Sequence, residues 1–294
     1  MPGVNAIDLG PVAETLLIPL YGRATLTRQG SALIDDPTAV EMVEAIDYDF
    51  SRFDGAPSLF GAVLRTRVLD VWIQRWLSAH PAGTVVEIGA GLNTRFERLD
   101  NGLAHWLEVD LPDAMTLRRR FFADAAADPD SEAETEAGAD RRRMLAGSVT
   151  DNAWATAAAS MPGPWFVVAE AVLCFLPEAG VRRAFDRVAA LVAGGPPGSE
   201  VAVDTWGTWM RDHQDDHDAL KVVDARVDWF CDTPAEVEVL APALRSAESI
   251  TLDDAPPELL DRLTRDERAM VDSARGQPQM MTYKLNRFTT ATAP

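Results

Sequence analysis

Cysteine is almost absent: Cys174 and Cys231 are the only two in 294 residues. That excludes a disulfide scaffold and any four-cysteine zinc site. One bridge between the pair stays open, although Cys174 lies in the apolar run VVAEAVLCFL (167–176), a setting for a buried reduced thiol. Basic charge is also short. Lys and Arg total 27 against 46 Asp and Glu, a formal charge of −19, with an isoelectric point near 4.5. A negative field of that size disfavours nucleic acid and anionic membranes, so neither is expected as a partner. No stretch approaches the ~18 consecutive apolar residues of a membrane-spanning helix. The opening residues MPGVNAIDLGPVAETLL carry Asp8 and Glu14 and show neither a basic leader nor a signal-length apolar core, so the expected location is the cytoplasm. What remains is an ordinary globular composition, 47% hydrophobic and 25% charged, long enough for one large domain with an appended cap.

The chain changes texture near residue 80. Residues 1–80 read as a helical region: Asp36 is a candidate N-cap with Pro37 at the first helical position, and VLRTRVLDVWIQRWL (63–77) repeats its apolar residues at helical intervals. From 81 to 294, β-type runs at 84–91, 104–111, 142–149, 164–173 and 199–206 alternate with helical stretches at 112–126, 151–160, 178–193 and 208–221. That alternation predicts an α/β fold, a parallel sheet covered on both faces by helices. Further strands at 246–254 and 280–290, around a helix near 257–275, bring the count to seven, with the last expected to run antiparallel. Residues 207–245 are irregular and read as a lid insertion. Asp124 to Asp140 holds seven acids and no base, the pattern of an exposed helix end and loop.

The sharpest local signal is VVEIGAGLNT (85–94), a strand running into Gly89 and Gly91 with a helix to follow. Alone, the glycine pair describes a tight turn as well as a ligand cradle. Asp110 stands nineteen residues past Gly91, at the end of the second strand, where a carboxylate can bond both hydroxyls of a ribose. The nucleoside this favours is not NAD. Thr94 replaces the third glycine of the dinucleotide fingerprint, and Glu87 would put negative charge beside a pyrophosphate. S-adenosylmethionine carries a sulfonium and an ammonium instead, and both accept a nearby carboxylate.

The stretches ETLLIPLYGRA (14–24), DPTAVEMVEAIDYDF (36–50), LRTRVLD (64–70), VVEIGAGLNTRFERLD (85–100), WLEVDLPDAM (106–115), AGSVTD (146–151) and AEAVLCFLP (169–177) resemble the leucine carboxyl methyltransferase family. Within it they are most similar to the bacterial branch of polyketide carboxyl O-methyltransferases. The resemblance implies a class I, Rossmann-like methyltransferase that uses S-adenosylmethionine and releases S-adenosylhomocysteine, with residues 1–80 covering the active site. It further implies that Arg65 grips the donor's carboxylate, with Arg67 as the fallback, that Gly89, Gly91 and Asp110 hold the nucleoside, that Ser148 and Val149 flank the adenine, and that Glu170 lies under the donor. Many relatives follow that acid with a glycine and a Met-Tyr pair; here Ala171 and Cys174-Phe175 stand instead.

Methyl transfer from a sulfonium is an in-line displacement, governed mainly by alignment and exclusion of water. A carboxylate acceptor, with a pKa near 4, needs no general base, whereas a phenol near 10 does. No histidine–acid motif stands out among His80, His105, His213 and His217. The His213/His217 pair at i and i+4 lacks a third ligand and reads as surface helix, with a lesser alternative in which one of them faces the acceptor from the lid; no metal is expected. Trp206, Trp209 and Trp229 are candidates for an apolar acceptor pocket. The expected reaction is methyl-ester formation on a small-molecule carboxylic acid or related aromatic acceptor. The rivals are methylation of a phenol, methylation of a peptide C-terminal carboxylate, a methyltransferase fold running a cyclisation or isomerisation, and a non-catalytic binding protein.

Overall fold

A computed structural model describes residues 10–122 and 141–291. The acidic stretch at 124–140 lies outside them. Seven strands form one sheet in the order β3-β2-β1-β4-β5-β7-β6: β1 Thr84–Ile88, β2 His105–Asp110, β3 Arg142–Ala146, β4 Trp165–Ala169, β5 Glu200–Trp206, β6 Leu244–Ile250 and β7 Tyr283–Thr290. The first five pair in parallel, and β7 inserts antiparallel between β5 and β6. This is the class I Rossmann-like methyltransferase arrangement, with helices at its N-terminal end.

Burial on both faces accounts for the near-continuous apolar strands. On one face the Glu178–Ala193 helix presents Val181, Phe185, Val188 and Val192 to Val86, Val167 and Val201. On the other, the Ser58–Ala79 helix packs Val68, Trp72 and Trp76 against Val85, Phe166 and Ala202. Strand alternation therefore turns Glu87 and Glu108, which pair in register, toward the second face along with Val85 and Trp106. Asp36 caps its helix by accepting the Ala39 N–H at 3.0 Å. The strand expected over 164–173 stops at Ala169, because Ala171 takes a left-handed φ of 53° that no strand can carry. The helix expected near 257–275 divides into Pro257–Leu260 and Arg265–Ala274, the latter begun by a Thr264/Glu267 capping box. Residues 208–221 are helical only over Trp209–His213, with short 3₁₀ turns beyond. Both cysteines are buried free thiols, and no helix among the described residues is long and apolar enough to cross a membrane.

Candidate functional site

A cavity of about 680 Å³ opens at the C-terminal edge of the parallel strands. That is where an α/β sheet of this order places ligands. Its two ends differ in chemistry.

At one end, β1 runs into the glycine turn. Gly89 and Gly91 have φ of 65° and 49°, conformations that L side chains rarely adopt. A Cβ on Gly89 would run into Val172, and one on Gly91 would stand 3.3 Å from Leu16 Cβ. The turn is tied down on both sides. Val109 O accepts the N–H groups of Gly89 and Ala90 at 2.8 and 3.1 Å, while the buried Arg118 guanidinium donates to the carbonyls of Gly91 and Asn93 at 3.0 and 2.7 Å. Asp110 accepts the Gly91 N–H through Oδ2 at 2.6 Å and the Leu111 N–H through Oδ1 at 2.7 Å. Each oxygen keeps a lone pair for a further donor, as contact with two ribose hydroxyls requires. Burial pushes the Asp110 carboxyl up, against the pull of those backbone N–H groups.

Beneath this end runs a chain of buried charges. Arg95, with no exposed surface, bonds Asp70 at 2.9 Å, Glu170 at 2.6 Å and Glu87. Arg65 donates through Nε to Glu170 at 2.9 Å and through Nη1 to the Tyr283 hydroxyl at 3.3 Å; Tyr283 in turn donates to Asp204 at 2.6 Å. Asp70 also pairs with Arg67 and Arg98, at 2.7 and 2.9 Å. Arg98 approaches Asp36 at 3.6 Å, and Asp36 binds Arg23 at 2.8 Å. The chain thus links five arginines and five carboxylates, Asp204 joining through the Tyr283 hydroxyl. Burial opposes ionisation of Glu170, yet Arg65 and Arg95 outweigh it and hold the carboxyl down at about 2. Asp70 is held low in the same way by Arg98, Arg95 and Arg67. Glu87 goes the other way: burial dominates, its carboxyl is pushed up, and its Oε2 has no partner among the described residues.

The other end is walled by Trp206, Trp209, Met210, Leu220, Leu252 and Met280, with two imidazoles between them. His213 stacks on Trp209, ring centroids 3.9 Å apart, and donates from Nδ1 to the Trp209 carbonyl at 2.8 Å. His217 lies against Trp206 at 5.5 Å.

Arg65, Gly89, Gly91, Asp110, Ser148, Val149 and Glu170 all line this one cavity, as do Trp206, Trp209, His213 and His217. Three expected placements need correction. Glu87 is off the wall, because the alternation of β1 turns it into the ion chain against Arg95. Trp229 is a core residue, packed on Phe185 with ring centroids 6.1 Å apart, and lines no part of this cavity. His213 and His217 do not sit on a surface helix: the helix ends at His213, and both rings face inward. Arg67 serves the structure, bonding Leu33 O at 2.9 Å and Asp70. The segment after β5 lines the acceptor end, Thr15 lines the cavity too, and Leu16 packs over Gly91 at the glycine turn. Sequence reasoning missed Arg95, Asp70, Asp204 and Tyr283. Asp70 and Asp204 carried the signal that exposed Glu170, a charge inside a largely apolar element, whereas Arg95, in the polar helix Arg95–Leu99, and the uncharged Tyr283 carried none. Among the described residues no cluster suits a metal ion.

The wall fits a phosphate-free nucleoside with a cationic centre. It presents the carboxylates of Asp110 and Glu170, and Arg65 keeps an Nη2 with no partner among the described residues, available to an anionic tail. The leucine carboxyl methyltransferase family matches this chain over residues 17–189. The tetracenomycin polyketide synthesis O-methyltransferase of Streptomyces glaucescens is 32% identical over 256 residues, covering 86% of this chain and 87% of its own. An S-adenosyl-L-methionine-dependent methyltransferase of Gibberella zeae is 25% identical, over 83% of this chain and 85% of its own. Among solved structures, a methyltransferase candidate from Thermobifida fusca superposes with a TM-score of 0.57 at 14% identity, covering 92% of this chain and 94% of that one.

Proposed function

Given that this chain belongs to the leucine carboxyl methyltransferase family and is an S-adenosylmethionine-dependent methyltransferase acting on a small organic molecule, we propose that it forms a methyl ester on the carboxylate of a hydrophobic, polyketide-like acid. The observation that carries this reading is the single cavity, in which the nucleoside end and the tryptophan-walled end are continuous. The bound donor supplies an activated methyl group on sulfur. Asp110 holds the ribose, Arg65 takes the anionic tail through Nη2, and Glu170 sits as a fixed, ionised carboxylate under the cationic part. Trp206 and Trp209 hold the acceptor's rings and exclude water. An ionised carboxylate needs no proton removed, and no hydrogen bond joins either cavity imidazole to a carboxylate that would make it a strong base. Asp218 comes nearest, with Oδ1 3.3 Å from His217 Nδ1, but its oxygens accept the N–H groups of Ala219 and Ser58. The same reading puts the enzyme in the cytoplasm, where its donor is made.

The test is incubation with methyl-labelled donor and a panel of aromatic acids, phenols and peptides. Label on an aromatic acid, released by mild alkali, at a rate flat from about pH 6 to 8, is the expected result. An alkali-stable product would overturn the ester. One feature favours that second reading, methylation of a phenol: with Nδ1–H given to Trp209 O, His213 keeps its Nε2 lone pair free to take a proton. In that case the rate would climb with pH, and His213→Ala would cost about 10²–10⁴-fold.

A further inference from the structure

His217 is held in an unusual way for a residue on a cavity wall. Its Nδ1 faces the backbone N–H groups of Ala219 and Leu220, at 3.3 and 3.2 Å. The turn that carries it is docked onto the start of the Ser58–Ala79 helix, where Asp218 Oδ2 accepts the Ser58 N–H at 3.0 Å. With Nδ1 accepting, the ring proton sits on Nε2, and a doubly protonated ring would carry one there too. Nε2 has no hydrogen-bond partner among the described residues, and the ring lines the cavity beside Trp206.

We propose that His217 determines the specificity of the acceptor site by donating its Nε2–H to one oxygen of the substrate's carboxylate, leaving the other oxygen free to be methylated. This rests on the ester-forming reading. The ester O–C bond forms as the methyl's bond to sulfur breaks, and that bond's electron pair stays on sulfur, so no proton moves and His217 need not titrate.

The surroundings favour a neutral donor over a cation. Burial holds the His217 ring below its ordinary value; Arg65 across the cavity and Lys221 on the same segment push the same way, and Asp218 opposes them. A neutral N–H orients a carboxylate without the full ion pair that would quench its nucleophilicity. Among the described residues the acceptor wall offers no lysine, and Arg65 gives its Nε–H to Glu170 and an Nη1–H to Tyr283. Methylation removes the acceptor's charge, so the product loses the charge-assisted bond and the ester is released.

The two carboxamide residues separate this role from a structural one, because Asn can reproduce the Nδ1 acceptor and Gln the Nε2 donor. The probes are 2-naphthoate and methyl 2-naphthoate, titrated calorimetrically into the full chain saturated with S-adenosylhomocysteine. The wild type should bind the acid roughly 10- to 100-fold more tightly than the ester, the His217→Asn variant should lose most of that preference, and His217→Gln should keep it. No acid preference in the wild type, preference retained by the Asn variant, or preference lost only in the Gln variant would overturn the assignment. If Asn does not bind S-adenosylhomocysteine, the Gln variant alone decides. Failure of the ester reading looks different: acid preference through His217, but label delivered from donor to a phenol in an alkali-stable product.

Discussion

The two ends of the cavity are built on opposite plans. The nucleoside end is polar and over-determined: Arg118, Asp110 and Val109 fix the glycine turn, and a chain of five arginines and five carboxylates braces it from below. The acceptor end is apolar and joined by short elements, with half-buried tryptophans and a pair of imidazoles. A methyltransferase must place the same donor in every turnover but can vary what it methylates. Charge networks suit the first task because each member fixes its neighbours' geometry; packed aromatic surface suits the second because it is directionless.

The largest expected effect tests the bracing. Arg95→Met leaves Asp70, Glu87 and Glu170 without their shared partner, and a buried pair broken on one side typically costs about 3–5 kcal/mol. Urea unfolding should show that loss, whereas Trp209→Ala at the acceptor end should show a much smaller one. Comparable losses would mean the two ends are not built differently.

Acid sharpens the same contrast. Glu170 is depressed from 4.5 to about 2, so its contribution to stability is complete above its unfolded value and is lost as pH falls from about 4.5 through 2. Glu87, Asp110 and Asp204 are raised by burial, so their ionised forms oppose folding and protonation relieves it. The wild type minus Glu170→Gln difference in unfolding free energy should therefore shrink over that window. A difference that is constant with pH would remove Glu170 from the ion chain.

Donor affinity comes next. Asp110→Ala or Arg65→Ala removes charge-assisted hydrogen bonds and should weaken S-adenosylhomocysteine binding roughly 10- to 100-fold in calorimetry. Trp209→Ala should do the converse, raising the acceptor KM about tenfold and leaving donor affinity within about twofold. Cross-talk between the two would collapse the division.

The smallest effect lies at the boundary between the ends. Ala171 occupies a left-handed conformation, and its N–H donates to Asp204 Oδ1 at 2.7 Å. Glycine relieves about 1–2 kcal/mol of that strain but adds back about 0.5–1 kcal/mol in unfolded-state entropy, so Ala171→Gly should stabilise by up to about 1.5 kcal/mol. A destabilised variant in thermal unfolding would contradict this.

The nucleoside end was legible because its parts lie at short, regular spacings within strand–turn–helix units: Gly89, Gly91 and Asp110 are separated by one strand and one helix, and Ser148-Val149 follow the next strand. The sheet was legible from alternation. Glu87 was misplaced because its spacing to the glycines describes the strand but not which face it turns to; pairing with Glu108 beside Arg95 and Arg118 decides that. The acceptor end was legible only in part, since it gathers side chains from the first helices, the segment after β5 and the approach to β7, and no local period links them. Trp206 and Trp229 look alike in sequence, yet one ends a central strand at the cavity while the other packs on Phe185.

Arg23, on the Leu17–Arg28 helix, reaches the Leu92 carbonyl at 2.7 Å while holding Asp36, and Leu16 roofs Gly91. The consequence concerns modularity. Residues 14–80 cannot be exchanged as a cap between relatives, because Arg23, Asp36, Arg65, Arg67 and Asp70 belong to the ion chain and Leu16 packs on the glycine turn. A chimera that swaps acceptor preference has to leave residues 14–80 in place and trade only the segment after β5 and the approach to β7.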